Sequence, residues 1–184
     1  MEFDAEKFDW LINESILTFN LGGDLLMHYH NPEAVEDKHD PSWQNQAVYF
    51  WYDNEPFERK SLPDEFDNFE KQVFTISQIP EGIKIKSGQA MPWFGKPGGG
   101  TKLFFSYLEN PITLQEAYKL NAICYVEKVS LTIANLGILQ DRDNYRFITE
   151  KGVSFDGSLP VYEGEKTSLS ALYAAGKISI LKLK

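Results

Sequence analysis

Chemistry-capable residues are densest in Met91–Phe105, MPWFGKPGGGTKLFF, where two aromatics and a lysine lead into three glycines followed by Thr101 and Lys102. Glycines admit positive φ and let a backbone approach a ligand or another strand closely. A lysine beside such a run suggests a phosphate cradle, which requires G-x-x-x-x-G-K-[ST] between a strand and a helix. Here a threonine separates Lys102 from the glycines and the strand-like KLFFSYL follows, so that pattern fails. The dinucleotide fingerprint G-x-G-x-x-G is missing as well. On spacing alone, a tight glycine hairpin with Trp93 and Phe94 packed as core is the simpler reading.

Other candidate clusters read as ordinary structure. His28 and His30 form an H-x-H pair whose rings share one face of a strand, an arrangement zinc sites use. His39 and Asp40 follow, but no second compact ligand pair does, so no metal is expected. Asp141, Asp143 and Asn144 in QDRDNYR lack the glycine and terminal glutamate of a calcium loop, which leaves a solvated turn. Cys124 lies in an apolar stretch and reads as core, not as a nucleophile.

Composition restricts the partners. The chain has 184 residues, 27 acidic against 18 basic, and a formal net charge of −9. That excess argues against binding a nucleic-acid backbone and suits a protein that docks on a basic surface. The single cysteine rules out an internal disulfide and fits a reducing compartment. MEFDAEKFDW lacks a basic-then-apolar signal pattern, and no run approaches the roughly 18 apolar residues of a membrane helix. The expectation is a cytoplasmic protein with no membrane partner.

The elements that must position these residues are legible in outline. Phe8, Leu11, Ile12, Ser15, Ile16 and Phe19 fall at helical spacing after Asp4, and Gly22-Gly23 ends that amphipathic helix. LLMHYH, AVYFWYD, KQVFTI, IKIKSGQA, KLFFSYL and CYVEKVSLTI read as strands. An acidic loop runs through Pro41, and EPFERKSLPDEF reads as a second loop. PITLQEAYKLNAI reads as a helix capped by Thr113, with Glu116 at capping-box spacing. TLQEAYKLNAICYVEK and SLSALYAAGKISILK share a plan of hydroxyl cap, short helix, tight turn and strand. The expected class is α+β, strand-rich, with an N-terminal amphipathic helix and a C-terminal strand-helix-strand extension. The expected divisions are 1–45, 46–130 and 131–184, the last a candidate repeat of the preceding helix-strand unit.

The run PWFGKPGGGTKLFF resembles the signature of the tuberculosis necrotizing toxin (TNT)-like NAD+ glycohydrolases, a family with a P-W-F-G-x-P-G-G-G-x-Q segment. Upstream that family shows F-E-x-R-x-L-P, which FERKSLP (Phe57 to Pro63) resembles. VFTI to IPEG fits the strand and turn between them, and the likeness covers roughly residues 50 to 130. The resemblance implies a strand-rich TNT-like domain whose cleft grips NAD+ and cleaves the nicotinamide–ribose bond through an oxocarbenium-like state. It implies that the segment's arginine, a histidine about twelve residues later and the glutamine after the glycines line that cleft. An upstream arginine and tyrosine contribute too.

This sequence departs from that set at each point. Lys60 stands at the arginine position beside Arg59, Gln72 at the histidine position and Lys102 at the glutamine position. NPEAVEDKHDPSWQNQ replaces the upstream R-F-G…G-x-Y stretch. Lysine loses the bidentate phosphate fork of arginine, and glutamine removes a titratable ring. No catalytic residue is therefore carried over. The resemblance implies a catalytically degenerate member, a non-enzymatic interaction protein acting as an immunity factor or regulator in a toxin system, without a cofactor. Its expected partner-binding residues are Glu33, Glu36, Asp37, Asp64, Glu65 and Asp67. One alternative is an active NAD+ glycohydrolase using Arg59, Lys102 and a histidine between His28 and His39. Another is a module that binds NAD+ or ADP-ribose uncleaved. Under either, Arg59, Trp93, Gly98, Gly99, Gly100 and Lys102 would contact the dinucleotide.

Overall fold

The computed structural model describes residues 25–33, 36–130, 134, 137–138, 141, 143–149, 152–156 and 159–184. The helix expected between Asp4 and Phe19 lies outside them. The architecture is α+β and strand-rich, and the chain divides into one unit spanning Leu25–Tyr125 and a second that holds Val126–Lys184.

In the first unit, β1 (Leu26–His30) pairs antiparallel with β2 (Trp51–Tyr52) and β3 (Glu70–Ile76). β3 in turn pairs with Ile123–Tyr125, the opening of β7 (Ile123–Val129). A second sheet is the meander β4 (Ile83–Gln89), β5 (Thr101–Tyr107) and β6 (Asn110–Pro111), with β5 in the middle. Strand alternation sends Leu26 and Phe74 to one side, where they meet Ile83, Leu103 and Phe105 of the meander and Leu114 and Ala117 of a helix. Met27, Tyr29 and Val73 point the other way and pack with Trp51, Leu62, Phe66 and Ala90. The β1–β3 sheet thus carries apolar residues on both faces.

Three short helices join these strands. α1 (Pro41–Ala47) lies where the sequence suggests a loop; Asp40 caps it by accepting from the Ser42 N–H at 2.8 Å, and Pro41 occupies the first turn. α2 (Phe57–Lys60) is a single turn ended by Ser61 at φ 52, followed by a 3-10 turn at Asp64–Asn68. α3 (Leu114–Lys119) has the Thr113–Glu116 capping box, and Asn121 at φ 59 ends it earlier than the sequence pattern suggests. The expected strand AVYFWYD is also shorter. Phe50 exchanges two backbone hydrogen bonds with Leu103 of β5 before Trp51 and Tyr52 turn to β1, so the segment changes sheets at that point.

In the second unit, Val126–Val129 of β7 pairs with β12 (Ile178–Leu183), which also pairs with β8 (Tyr145–Thr149). β9 (Val153–Asp156), β10 (Leu159–Tyr162) and β11 (Glu165–Lys166) form a meander, and α4 (Leu169–Ala174) precedes β12. Each unit therefore runs meander, helix, strand. Details match: Ile83 pairs with Tyr107 and Val153 with Tyr162. Tyr107 packs over Gly82 and Tyr162 over Gly152, both glycines at positive φ. Thr113 and Ser168 cap the helices, and Asn121 and Gly176 end them at φ 59 and 74.

The glycine run is an excursion from the β4–β5 hairpin. Ala90 N–H donates to Gly100 O, and Gly99 N–H to Ala90 O, both at 2.8 Å, closing its base. Gly98 N–H reaches the Glu58 carbonyl at 3.3 Å and Gly100 N–H the Arg59 carbonyl at 2.9 Å, which staples the base to α2. A Cβ on Gly98 would sit 2.6 Å from Ala90 O, and one on Gly100 would sit 2.7 Å from Arg59 O. Trp93 and Phe94, expected in the core, are 67% and 51% exposed because the excursion carries them off the sheet.

These contacts rank the glycines. Gly100→Ala should cost roughly 1–3 kcal/mol through steric overlap alone. Gly98→Ala adds left-handed strain of about 1–2 kcal/mol to a similar overlap, whereas Gly99→Ala, at φ +86 and with only an ordinary contact to Arg59 Nη2 at 3.8 Å, carries only the strain. Urea denaturation should therefore order the losses Gly98, Gly100, Gly99. A Gly99 variant losing most would refute the staple.

Candidate functional site

The alternation of β1 and β3 decides which side chains can meet. His28 pairs in register with Gln72, and both face a cleft of about 560 Å³ within the first unit. Trp43 and Gln46 of α1, Gln115 and Tyr118 of α3, and Tyr125 also line it, with Glu36, Lys38 and His30 among its other residues. His28 is buried, and its Nδ1 lies 3.2 Å from the Tyr29 carbonyl. A carbonyl only accepts, so Nδ1 carries the proton and Nε2 accepts from the Tyr125 hydroxyl at 2.9 Å. Burial pushes His28 down to about 4 and Tyr125 up to about 12. The couple is neutral at physiological pH. An imidazole that protonates only near pH 4 is a poor general base at neutrality, although the couple can still hydrogen-bond a ligand.

Lys60 is on the opposite side of that sheet. Its Nζ donates to the Tyr29 hydroxyl at 2.9 Å and lies 3.5 Å from Met27 Sδ, and the residue is only 5% exposed. Burial, with Lys71 adding repulsion, brings its ammonium down to about 8, while Asp53, Glu55 and Asp67 pull weakly upward. Arg59 lies beside the glycine base with its side chain half exposed. Its Nη2 donates to Gly99 O at 2.9 Å and its Nε lies 3.5 Å from Glu55 Oε1, so it reinforces the staple. Lys102 Nζ sits 3.7 Å from the Tyr49 ring centroid and donates to Asn45 Oδ1 at 3.1 Å; burial lowers its pKa. It does not line the cleft.

Of the residues singled out from sequence, the structure thus brings together Arg59 with Gly98, Gly99 and Gly100, and leaves Lys60, Gln72 and Lys102 in three separate environments. His28 and His30 both face the cleft, as H-x-H alternation suggests, whereas His39 lies in an exposed turn. No group of three or more His, Cys, Asp or Glu placed to hold a metal occurs among the described residues. Within QDRDNYR, Asp141 accepts from the Asn144 backbone and side chain; Gln140 and Arg142 lie outside the described residues. Tyr125, Trp43 and Gln46 were not singled out. Tyr125 reaches His28 only through the non-local pairing of β3 with β7, for which no local pattern exists.

The acidic residues form a recognisable end of this unit. His30, last in β1, pairs with Glu70, first in β3, so the loop carrying Glu33, Glu36 and Asp37 and the turn carrying Asp64, Glu65 and Asp67 leave the same end of the sheet. Asp64 pairs with Lys96 at 2.6 Å and Asp67 with Lys71 at 3.6 Å; both acids are exposed.

Residues 40–123, which span α1, the FERK turn, β3 to β6, the glycine excursion and α3 but not His28 or Tyr125, match the family model of the tuberculosis necrotizing toxin. The chain is TNT-like over this segment. Among solved structures, a chain in the complex of TNT with its immunity factor IFT is similar, at 15% identity and a TM-score of 0.42. The likeness covers 61% of this chain and 51% of that one, so the match spans about half the length of its solved relative. No curated protein matches.

Two measurements check the site. The folded pKa of Lys60 lies below its unfolded value of 10.5, so the wild type carries a charge-burial cost that is full below pH 8 and fades as pH rises to 10.5. The unfolding free energy of Lys60→Met relative to wild type should therefore fall by roughly 3 kcal/mol across that window; a constant difference would refute the burial cost. For His28, nitrogen NMR should show the Nδ1–H tautomer with no protonation until pH nears 4. An Nε2–H tautomer at neutral pH would contradict the Tyr125 hydrogen bond.

Proposed function

We propose that this chain is a non-enzymatic interaction protein on a TNT-like scaffold, serving as an immunity factor or regulator in a bacterial NAD+-glycohydrolase toxin system. The observation that carries the reading is the burial of Lys60 on the Tyr29 side of the β1–β3 sheet while Gln72 faces the cleft on the other. A cation that hydrogen-bonds a core phenol is not offered to a pyrophosphate. Arg59 and Lys102 are likewise engaged, by Gly99 and Glu55 and by Asn45 and Tyr49. The acidic loops at one end of the sheet supply a surface complementary to a cationic dinucleotide cleft.

Purified protein should release no nicotinamide from NAD+ above a no-enzyme control, and should co-purify one-to-one with a cognate NAD+-glycohydrolase toxin domain. Neutralising Glu33, Glu36, Asp37, Asp64, Glu65 and Asp67 together should slow association and flatten its salt dependence without lowering the melting temperature. An association rate indifferent to all six would remove the acidic surface from the reading.

A second reading is supported by the His28–Tyr125 couple beside Gln72 in an open cleft. There the chain retains a dinucleotide site and either cleaves NAD+ or holds it. Robust nicotinamide release that is lost in His28→Ala would establish cleavage. NAD+ or ADP-ribose binding without turnover would establish a sensing module.

A further inference from the structure

The tip of the glycine excursion is built at a conformational cost that the hairpin does not require. Phe94 and Gly95 both have positive φ, at 51° and 72°, and Lys96 N–H donates to Trp93 O at 2.9 Å. That is the pattern of a type I′ turn, whose first central position favours Asn, Asp or Gly and disfavours a bulky side chain. A phenylalanine held there without core burial is an outlier of the kind found at functional positions. Its ring stacks on Trp93 at 5.7 Å between centroids, and Met91 beside them is 75% exposed.

The second unit shows that such a tip is dispensable to this plan. There the equivalent hairpin, with the same glycine–tyrosine contact and the same pairing beside it, passes from Asp156 to Leu159 with no long excursion. The tip is nevertheless held firmly. Lys96 Nζ pairs with Asp64 at 2.6 Å and lies 5.3 Å from the Phe57 ring centroid, leaving its side chain only 11% exposed. Stacked rings on a pinned turn lose little freedom on docking, which is the condition for an aromatic anchor.

Charge selects the occupant. Around the tip Glu58, Asp64 and Glu65 are exposed, while Lys96 and Arg59 are committed to Asp64 and to Gly99 and Glu55. Two such acidic tips repel each other in a chain of net charge −9, which disfavours a second copy, and an anionic lipid or nucleic-acid surface is disfavoured for the same reason. A protein surface with an apolar pocket ringed by Lys and Arg fits both the rings and the charges.

We propose that Trp93 and Phe94 are the anchor by which this chain docks into a basic-rimmed apolar pocket of a partner protein. The proposal rests on the interaction-protein reading above and names its contact. The probe is an inactivated cognate NAD+-glycohydrolase toxin domain, immobilised and titrated with wild type, with the double variant Trp93→Ala/Phe94→Asn, and with Leu108→Ser. Leu108 is exposed where β5 turns into β6, at the far end of the β4–β5 hairpin from the tip. Asn suits left-handed backbone, so the double variant should keep the wild-type melting temperature. Its affinity should fall about 30-fold or more, chiefly through faster dissociation, with Leu108→Ser binding like wild type. If wild type binds and the double variant binds equally well, the anchor is wrong while the interaction reading stands. If wild type does not bind, both fall, and a wild-type dimer dispersed by the double variant would assign the tip to self-association instead.

Discussion

The TNT-like segment depends on approaches that side chains forbid, the Gly100 N–H on the Arg59 carbonyl and Gly98 against the Ala90 carbonyl. A β-carbon at either glycine would fall inside 3 Å of a backbone oxygen. Because the glycine base lies against α2, that single helical turn is fixed relative to the β4–β5 hairpin. The position of α2 then sets two neighbours apart. Arg59 points along the excursion and closes on Gly99 O, and Lys60 points into the apolar cluster around Tyr29. The glycines therefore act on chemistry indirectly, by deciding where the side chains of α2 go.

A lysine at that point is a physically distinct choice from an arginine. A guanidinium stays charged when buried and demands several acceptors, whereas an ammonium can shed its proton. Lys60 finds one phenol and a thioether, and burial brings its pKa down to about 8. Such an environment tolerates lysine because lysine can yield its charge. The cleft side of the sheet is equally reticent: His28 is held neutral between a carbonyl and a tyrosine hydroxyl, and Gln72 opposite it cannot titrate. On the cleft side the couple is held uncharged near neutral pH, while on the other side of the sheet burial makes the Lys60 ammonium easier to deprotonate without removing its charge below pH 8.

Much of this was legible in the sequence, because local rules govern it. The Thr113–Glu116 capping box, the helix–turn–strand plan and the strands from KQVFTI to ICYVEKV follow from spacing and caps. α1 was hidden because its acidic approach looked like loop, although Asp40-Pro41 is a sound helix start. The fates of Trp93 and Phe94 were hidden for another reason. Hydrophobicity argues for burial, and only the closure between Ala90 and Gly100 shows that the intervening residues leave the sheet. The separation of Lys60 from Gln72 follows from strand alternation combined with where α2 docks, and the second of these is a tertiary fact. The His28–Tyr125 couple likewise needs β1, β3 and β7 side by side before it exists.

One ion pair ties the two parts of the proposed docking surface together. Lys96, within the excursion, bonds Asp64, within the acidic turn that leads to β3, so the aromatic tip and half of the acidic surface are held together. The two parts contribute to different stages of association. Exposed carboxylates act over a Debye length and raise the encounter rate, but they are worth little once screened in a complex. Aromatic rings act only on contact, where their desolvation governs how long the complex lasts. On the proposed docking reading, tethering the two means that the charge which guides an approach also aims the rings. On that same reading, a surface arranged in this way would discriminate twice, first by the sign of the partner's field and then by the shape of its pocket.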